Sequence, residues 1–296
     1  MSGLSDNTRG ALLMMTAMAA FTFNDASLKS LSDELPLFQA LFLRGIGTTG
    51  LLLLLTWAMG QLRFDIARRD WALMGIRTVA EAAAAWFFLT ALFNMPIGNV
   101  SAIMQALPLT ITLVGALFLG EAVGWKRLIA ILTGFVGVVM IVQPGGGGFT
   151  HFSVFALLSM FCVTVRDLAA RRTSRSVPSV MVATVAAAGV TVFAGVGSIT
   201  VDWQPLSPLA TMQLTGAMVF VIGGYIASVA AMRVGEIGFV APFRYTSLLV
   251  ALVLGYLVFG DWPNALTLWG AAIVVATGMF TLLRERQLRR RAARTA

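Results

Sequence analysis

Residues 98–121 read GNVSAIMQALPLTITLVGALFLGE, 23 residues without a charge followed by Glu121. A surface helix of a soluble protein carries a polar face along such a length. A helix crossing a hydrocarbon core about 30 Å thick instead needs about 20 apolar residues in succession. The stretch reads as a membrane span. Pro108 lies inside it and removes a backbone donor, which makes the helix either kinked or broken there.

The rest of the chain has the same character. Of its 296 residues, 58% are hydrophobic and 11% charged, against roughly 25% charged in a soluble domain. Apolar blocks separated by turn residues or charge give ten approximate spans: 10–31, 36–59, 71–92, 97–119, 125–143, 151–171, 178–200, 209–231, 237–259 and 264–283. A transmembrane barrel would show short alternating segments. These blocks are continuous, so the expected class is all-α integral membrane.

Lys and Arg then set the orientation, because cytoplasmic loops collect them. Arg9, Arg63, Arg68, Arg69, Lys126, Arg127, Arg171, Arg172, Arg175, Arg233 and the six arginines of residues 284–294 fall at one side, sixteen in all. The alternate loops carry Asp33, Glu34, Asp202 and Asp261 and no cation. This places both termini in the cytoplasm. It also gives the net charge of +8 a topological use, so no nucleic-acid partner is expected although clustered cations can mark one. The first apolar block has no small-residue cleavage site after it and reads as a retained span.

Enzyme chemistry finds no support. His151 is the only histidine, and Cys162 the only cysteine, lies inside a span. Gly145 to Gly148 lack the Lys-Ser/Thr of a phosphate-binding loop. No cofactor, metal or ATPase domain is expected, which leaves a solute or ion gradient as the energy source.

Residues 98–121 also recur. Residues 238–261 read GFVAPFRYTSLLVALVLGYLVFGD, and an offset of 140 pairs Gly98 with Gly238, Gly115 with Gly255, Gly120 with Gly260 and Glu121 with Asp261. At an offset of 142, Asn24-Asp25 with Lys29 matches Arg166-Asp167 with Arg171. Two homologous halves of five spans follow, 1–147 and 148–283, with a basic tail over 284–296. Five is odd, so the second half runs through the membrane upside down. Inverted repeats are a recurring transporter architecture.

With these residues in view, the chain resembles the drug/metabolite transporter superfamily with two EamA-type domains. The resemblance covers nearly its whole length. It is carried by the duplicated span ending in Glu121 and Asp261, each followed by a glycine-bearing helix (Gly134 and Gly137; Gly270 and Gly278). The resemblance implies a ten-helix carrier working by alternating access. More narrowly, Asn24-Asp25-x-x-x-Lys29, Phe38 to Arg44 and Ala241-Pro242-Phe243-Arg244-Tyr245 are similar to bacterial riboflavin and S-adenosylmethionine uptake transporters.

Five cations remain inside spans: Lys29, Arg44, Arg77, Arg166 and Arg244. A charge at mid-membrane costs about 2.5–3.5 kcal/mol on insertion scales, so such residues face a partner or a wet cavity. Asp25 with Lys29 and Arg77 with Glu81 have the i,i+4 spacing of one helix face. Arg166 and Asp167 are adjacent and are expected to point apart, each needing a partner from elsewhere. Lys29 and Arg77 near span ends can equally be structural or snorkel to the headgroups.

The cavity candidates are Asn24, Asp25, Arg44, Glu81, Gln105, Tyr225, Arg244 and Tyr245, with helix breaks at Pro108 and Pro242. Trp86, Phe87 and Phe88 can stack on a flat ligand or pack against the fold. Trp57, Trp71, Trp203 and Trp262 read as interface anchors. A small polar metabolite is the expected substrate and import the expected direction. Span cations outnumber the acids Asp25, Glu81 and Asp167, which favours riboflavin over S-adenosylmethionine. An exporter of amino acids, metallophores or drugs is the alternative. The sequence leaves a homodimer open.

Overall fold

The computed structural model describes residues 5–119, 124–145, 150–174 and 176–295. Gly120, Glu121, Gly146 to Gly148 and Arg175 lie outside the described residues. Within them the chain is helical without a strand, and ten helices are long and apolar enough to cross a membrane. We number them as spans: 1 (Asp6–Lys29), 2 (Leu37–Ala58), 3 (Arg68–Asn94), 4 (Ile97–Phe118), 5 (Trp125–Val142), 6 (Phe152–Arg172), 7 (Ser179–Ser198), 8 (Pro208–Val234), 9 (Ala241–Phe259) and 10 (Ala265–Arg284). Each lies within four residues of its sequence-derived bounds.

Prolines and glycines punctuate them. Pro36, Pro96 and Pro178 stand immediately before spans 2, 4 and 7, where a missing N–H costs the helix nothing. Span 9 ends at Gly260, whose φ of 68° lets the Asp261 N–H reach back to the Gly255 carbonyl at 2.8 Å. A side chain would oppose that left-handed φ. The helix that begins as span 10 runs on to Thr295. The expected tail is thus a helical continuation, built from Arg, Glu, Gln, Leu and Ala, all strong helix formers, with no Gly or Pro to stop it.

The chain forms two compact units, one of Met1–Ala26, Asn94–Val154 and Phe220–Ala296, the other of Ser27–Phe93 and Phe155–Val219. In the first unit span 5 packs on span 10. A Cβ on Gly137 would lie 2.7 Å from the Gly270 carbonyl oxygen, so only glycine allows the two backbones this approach. Gln143 Nε2 also donates to Asn264 and Thr267 at 2.9 and 3.1 Å. Span 4 packs on span 9, with Gly98 against Leu252 and Gly255 against Ile97. In the second unit span 2 packs on span 7, where Thr49 meets Thr191 at 2.8 Å and Thr56 meets Thr184 at 2.7 Å.

These pairings carry the topology. Seven residues forward along span 2 is seven residues back along span 7, so the two run antiparallel. The same reversal relates span 4 to span 9 and span 5 to span 10. Each partner is five spans further along the chain. Antiparallel packing of like with like is the geometry of two five-helix repeats inserted in opposite senses.

Candidate functional site

In the first unit the two duplicated spans are both broken. Span 4 consists of a helix over Ile97–Met104 and a second over Leu107–Leu119. Pro108 explains the gap, because its ring collides with the carbonyl four residues earlier, that of Met104. Span 9 opens with a 3-10 turn over Ala241–Tyr245, with Pro242 in its first positions, and becomes α-helical at Thr246.

The two breaks meet. Gln105, buried at the break of span 4, donates from Nε2 to Ser247 Oγ at 2.7 Å. Ser247 Oγ donates in turn to the Arg244 carbonyl at 3.0 Å. Span 1 joins through Thr22, whose hydroxyl reaches the Met18 and Ser247 carbonyls at 2.9 and 3.4 Å. Backbone freed by a break at membrane depth needs such side-chain partners.

Arg244 itself is exposed. Tyr245 differs from its neighbour. It is 7% exposed and packs against span 10, where a Cβ on Gly278 would collide with its hydroxyl. Tyr245 therefore braces the broken segment from behind and is no open cavity wall. Asn24 is buried and donates from Nδ2 to Asp25 Oδ1 at 2.9 Å. Tyr225 is exposed and meets Phe21 edge-on at 5.4 Å, and the Phe21 ring itself rests on Gly224.

The second unit holds the other candidates, Arg44 and Glu81. Arg44 is half-buried, one residue before Gly45, which packs on Thr191. Glu81 pairs with Arg77 at 3.6 Å across one helical turn and with Arg166 of span 6 at 2.9 Å. Arg166 also reaches Asp167 at 2.9 Å. The expectation that these adjacent residues point apart is corrected here. The arginine arm is long enough to span the roughly 100° between neighbouring positions, and its guanidinium has two edges to offer. Asn24 and Asp25, matched to this pair at an offset of 142, form the same neighbour-to-neighbour bond. Lys29 donates to the Leu92 carbonyl at 3.0 Å.

Trp86 and Phe87 pack together and against Phe155 at 6.0 and 5.8 Å, which makes that aromatic run part of the packing. Two grooves of about 490 and 360 Å³ open along span 3. Ile76, Val79 and Phe161 line the first, and Trp86, Phe87 and Phe193 the second. Neither is lined by a candidate polar residue. Trp57, Trp203 and Trp262 are exposed at span ends, as interface anchors are.

Thr22 and Ser247 were not among the sequence candidates, because small hydroxyls in spans usually satisfy their own helix.

The EamA-like transporter family profile matches residues 8–143. The chain is similar to the riboflavin transporter of Vibrio cholerae, 30% identical over 75% of this chain and 74% of that one. It is also similar to the pseudopaline exporter of Pseudomonas aeruginosa, at 26% over 90% and 93%. The S-adenosylmethionine uptake transporter of Rickettsia bellii is 21% identical over 92% and 93%. A solved crystal structure superposes with a TM-score of 0.63 at 18% identity, covering 95% of this chain and 99% of its own.

Proposed function

The chain belongs to the EamA-like transporter family, and from that premise we propose that it imports a small polar metabolite across a bacterial inner membrane, riboflavin being the first candidate. It is a multi-pass membrane transporter and no enzyme. In this reading residues 1–147 and 148–283 are the two repeats, 284–296 a basic extension, and both termini are cytoplasmic, as the sixteen-to-none division of loop cations indicates. Alternating access is driven by a solute or ion gradient.

One observation carries the choice of substrate. Of the acids Asp25, Glu81 and Asp167, the last two are engaged by guanidiniums at 2.9 Å. S-adenosylmethionine brings a sulfonium and an ammonium and needs anions to receive them. Riboflavin is uncharged and flat, with ring carbonyls and hydroxyls that suit Arg244 as a donor and Tyr225 as a ring surface. The 30% identity to a riboflavin transporter supports the same choice.

Complementation tests it. A riboflavin auxotroph without its own uptake route is expected to grow on low external riboflavin when the chain is expressed. Uptake of labelled S-adenosylmethionine without riboflavin uptake would move the assignment to the second importer class. Failure of both with well-expressed protein would favour export of amino acids, metallophores or drugs.

A further inference from the structure

We infer that Ser247, held by Gln105, is a positioning residue that fixes the orientation of Arg244; this rests on reading Arg244 as a substrate contact.

A serine hydroxyl has one proton. Ser247 gives it to the Arg244 carbonyl, so only its lone pairs remain for Gln105, whose amide nitrogen supplies a proton at 2.7 Å. The direction of the chain is thereby fixed: Gln105 to Ser247 to the peptide of Arg244. The Ser247 carbonyl is held from a second direction by Thr22. Ser247, two residues beyond the 3-10 turn, is thus tied to spans 1 and 4, and with it the peptide from which the Arg244 side chain projects. A 3-10 turn alone would not do this, because its hydrogen bonds are poorer than those of an α-helix.

The two breaks differ in content. At the offset of 140 that aligns these spans, Arg244 matches Met104 and Tyr245 matches Gln105. One break supplies the cation and the other the amide donor that reaches Ser247.

The test uses full-length protein in lipid nanodiscs and proteoliposomes, with Gln105→Met, Ser247→Ala, the double variant and Ser247→Thr. Hydrogen exchange of the peptide covering 241–247 is read first, because it needs no substrate. Ser247→Ala and Gln105→Met are expected to speed it, Ser247→Thr to leave it as in the parent, and the double variant to match Ser247→Ala. Riboflavin uptake is read second. Its KM is expected to rise about five-fold for each single variant, the worth of one hydrogen bond, with the maximal rate within about two-fold of the parent. Unchanged exchange, or losses that add in the double variant, overturns the positioning role. Changed exchange in a protein that does not carry riboflavin leaves the role standing and removes riboflavin instead.

Discussion

Arg166 Nη1 lies 2.9 Å from Glu81 Oε1, a contact that ties span 6 to span 3. Arg77 stands 3.6 Å from the other oxygen of the same carboxylate. Glu81 thus separates two guanidiniums, and all three side chains are mostly out of contact with solvent. Removing the anion costs more than removing either cation, since it leaves like charges facing each other at low dielectric.

Glu81→Gln is therefore expected to destabilise the purified protein more than Arg77→Gln does. The gap should be about 2 kcal/mol, below the range for fully buried pairs because these side chains keep some exposure. Thermal unfolding in one detergent reads it. Equal midpoints would mean that the three charges are solvated independently.

Arg244 answers to a different measurement. An exposed side chain can be neutralised without loss of fold, usually within about 0.5 kcal/mol. Arg244→Gln is expected to keep expression and melting temperature while lowering riboflavin uptake about ten-fold, the scale of one hydrogen bond to a charged group. A variant that melts early would place Arg244 in the structure and remove it from the site.

The spans were legible because burial in lipid demands one simple pattern, an apolar run of fixed length, and the sequence cannot hide it. The breaks were legible for a related reason. Pro108 and Pro242 each remove a donor, and no context restores it. Side-chain partnerships were not. Arg166 can reach Asp167, Glu81 or a headgroup from the same backbone position, and only the neighbouring span decides. Tyr245 shows the limit from another side. Adjacent to Arg244 in sequence, it is carried by the helical turn onto Gly278. Its polar tip suggested a cavity, and its ring fills the packing.

Glycines in the same helical setting should differ sharply on substitution. A Cβ on Gly137 meets the Gly270 carbonyl at 2.7 Å, whereas one on Gly75 meets nothing within 4 Å. Gly137→Ala forces two backbones apart and is expected to lower the unfolding midpoint by several degrees. Gly75→Ala gains helix propensity, up to about 1 kcal/mol in a soluble helix, and is expected to be neutral or better. Identical behaviour would show that spans 5 and 10 are not in close contact.

Tyr245 yields the most discriminating variant. Its hydroxyl is buried and makes no hydrogen bond, and a buried polar group in that position costs about 1–3 kcal/mol. Tyr245→Phe deletes that oxygen and keeps the ring, so the purified protein is expected to melt at the same temperature or higher. Uptake should be retained, because the ring that braces the Arg244 segment is still present. Tyr245→Ala removes the brace and is expected to lose both stability and uptake, as is Gly278→Ala, whose methyl takes the space under the ring. A Tyr245→Phe protein that is stable but does not transport would give the hydroxyl a partner in another state of the transport cycle, and Tyr245 would return to the substrate path.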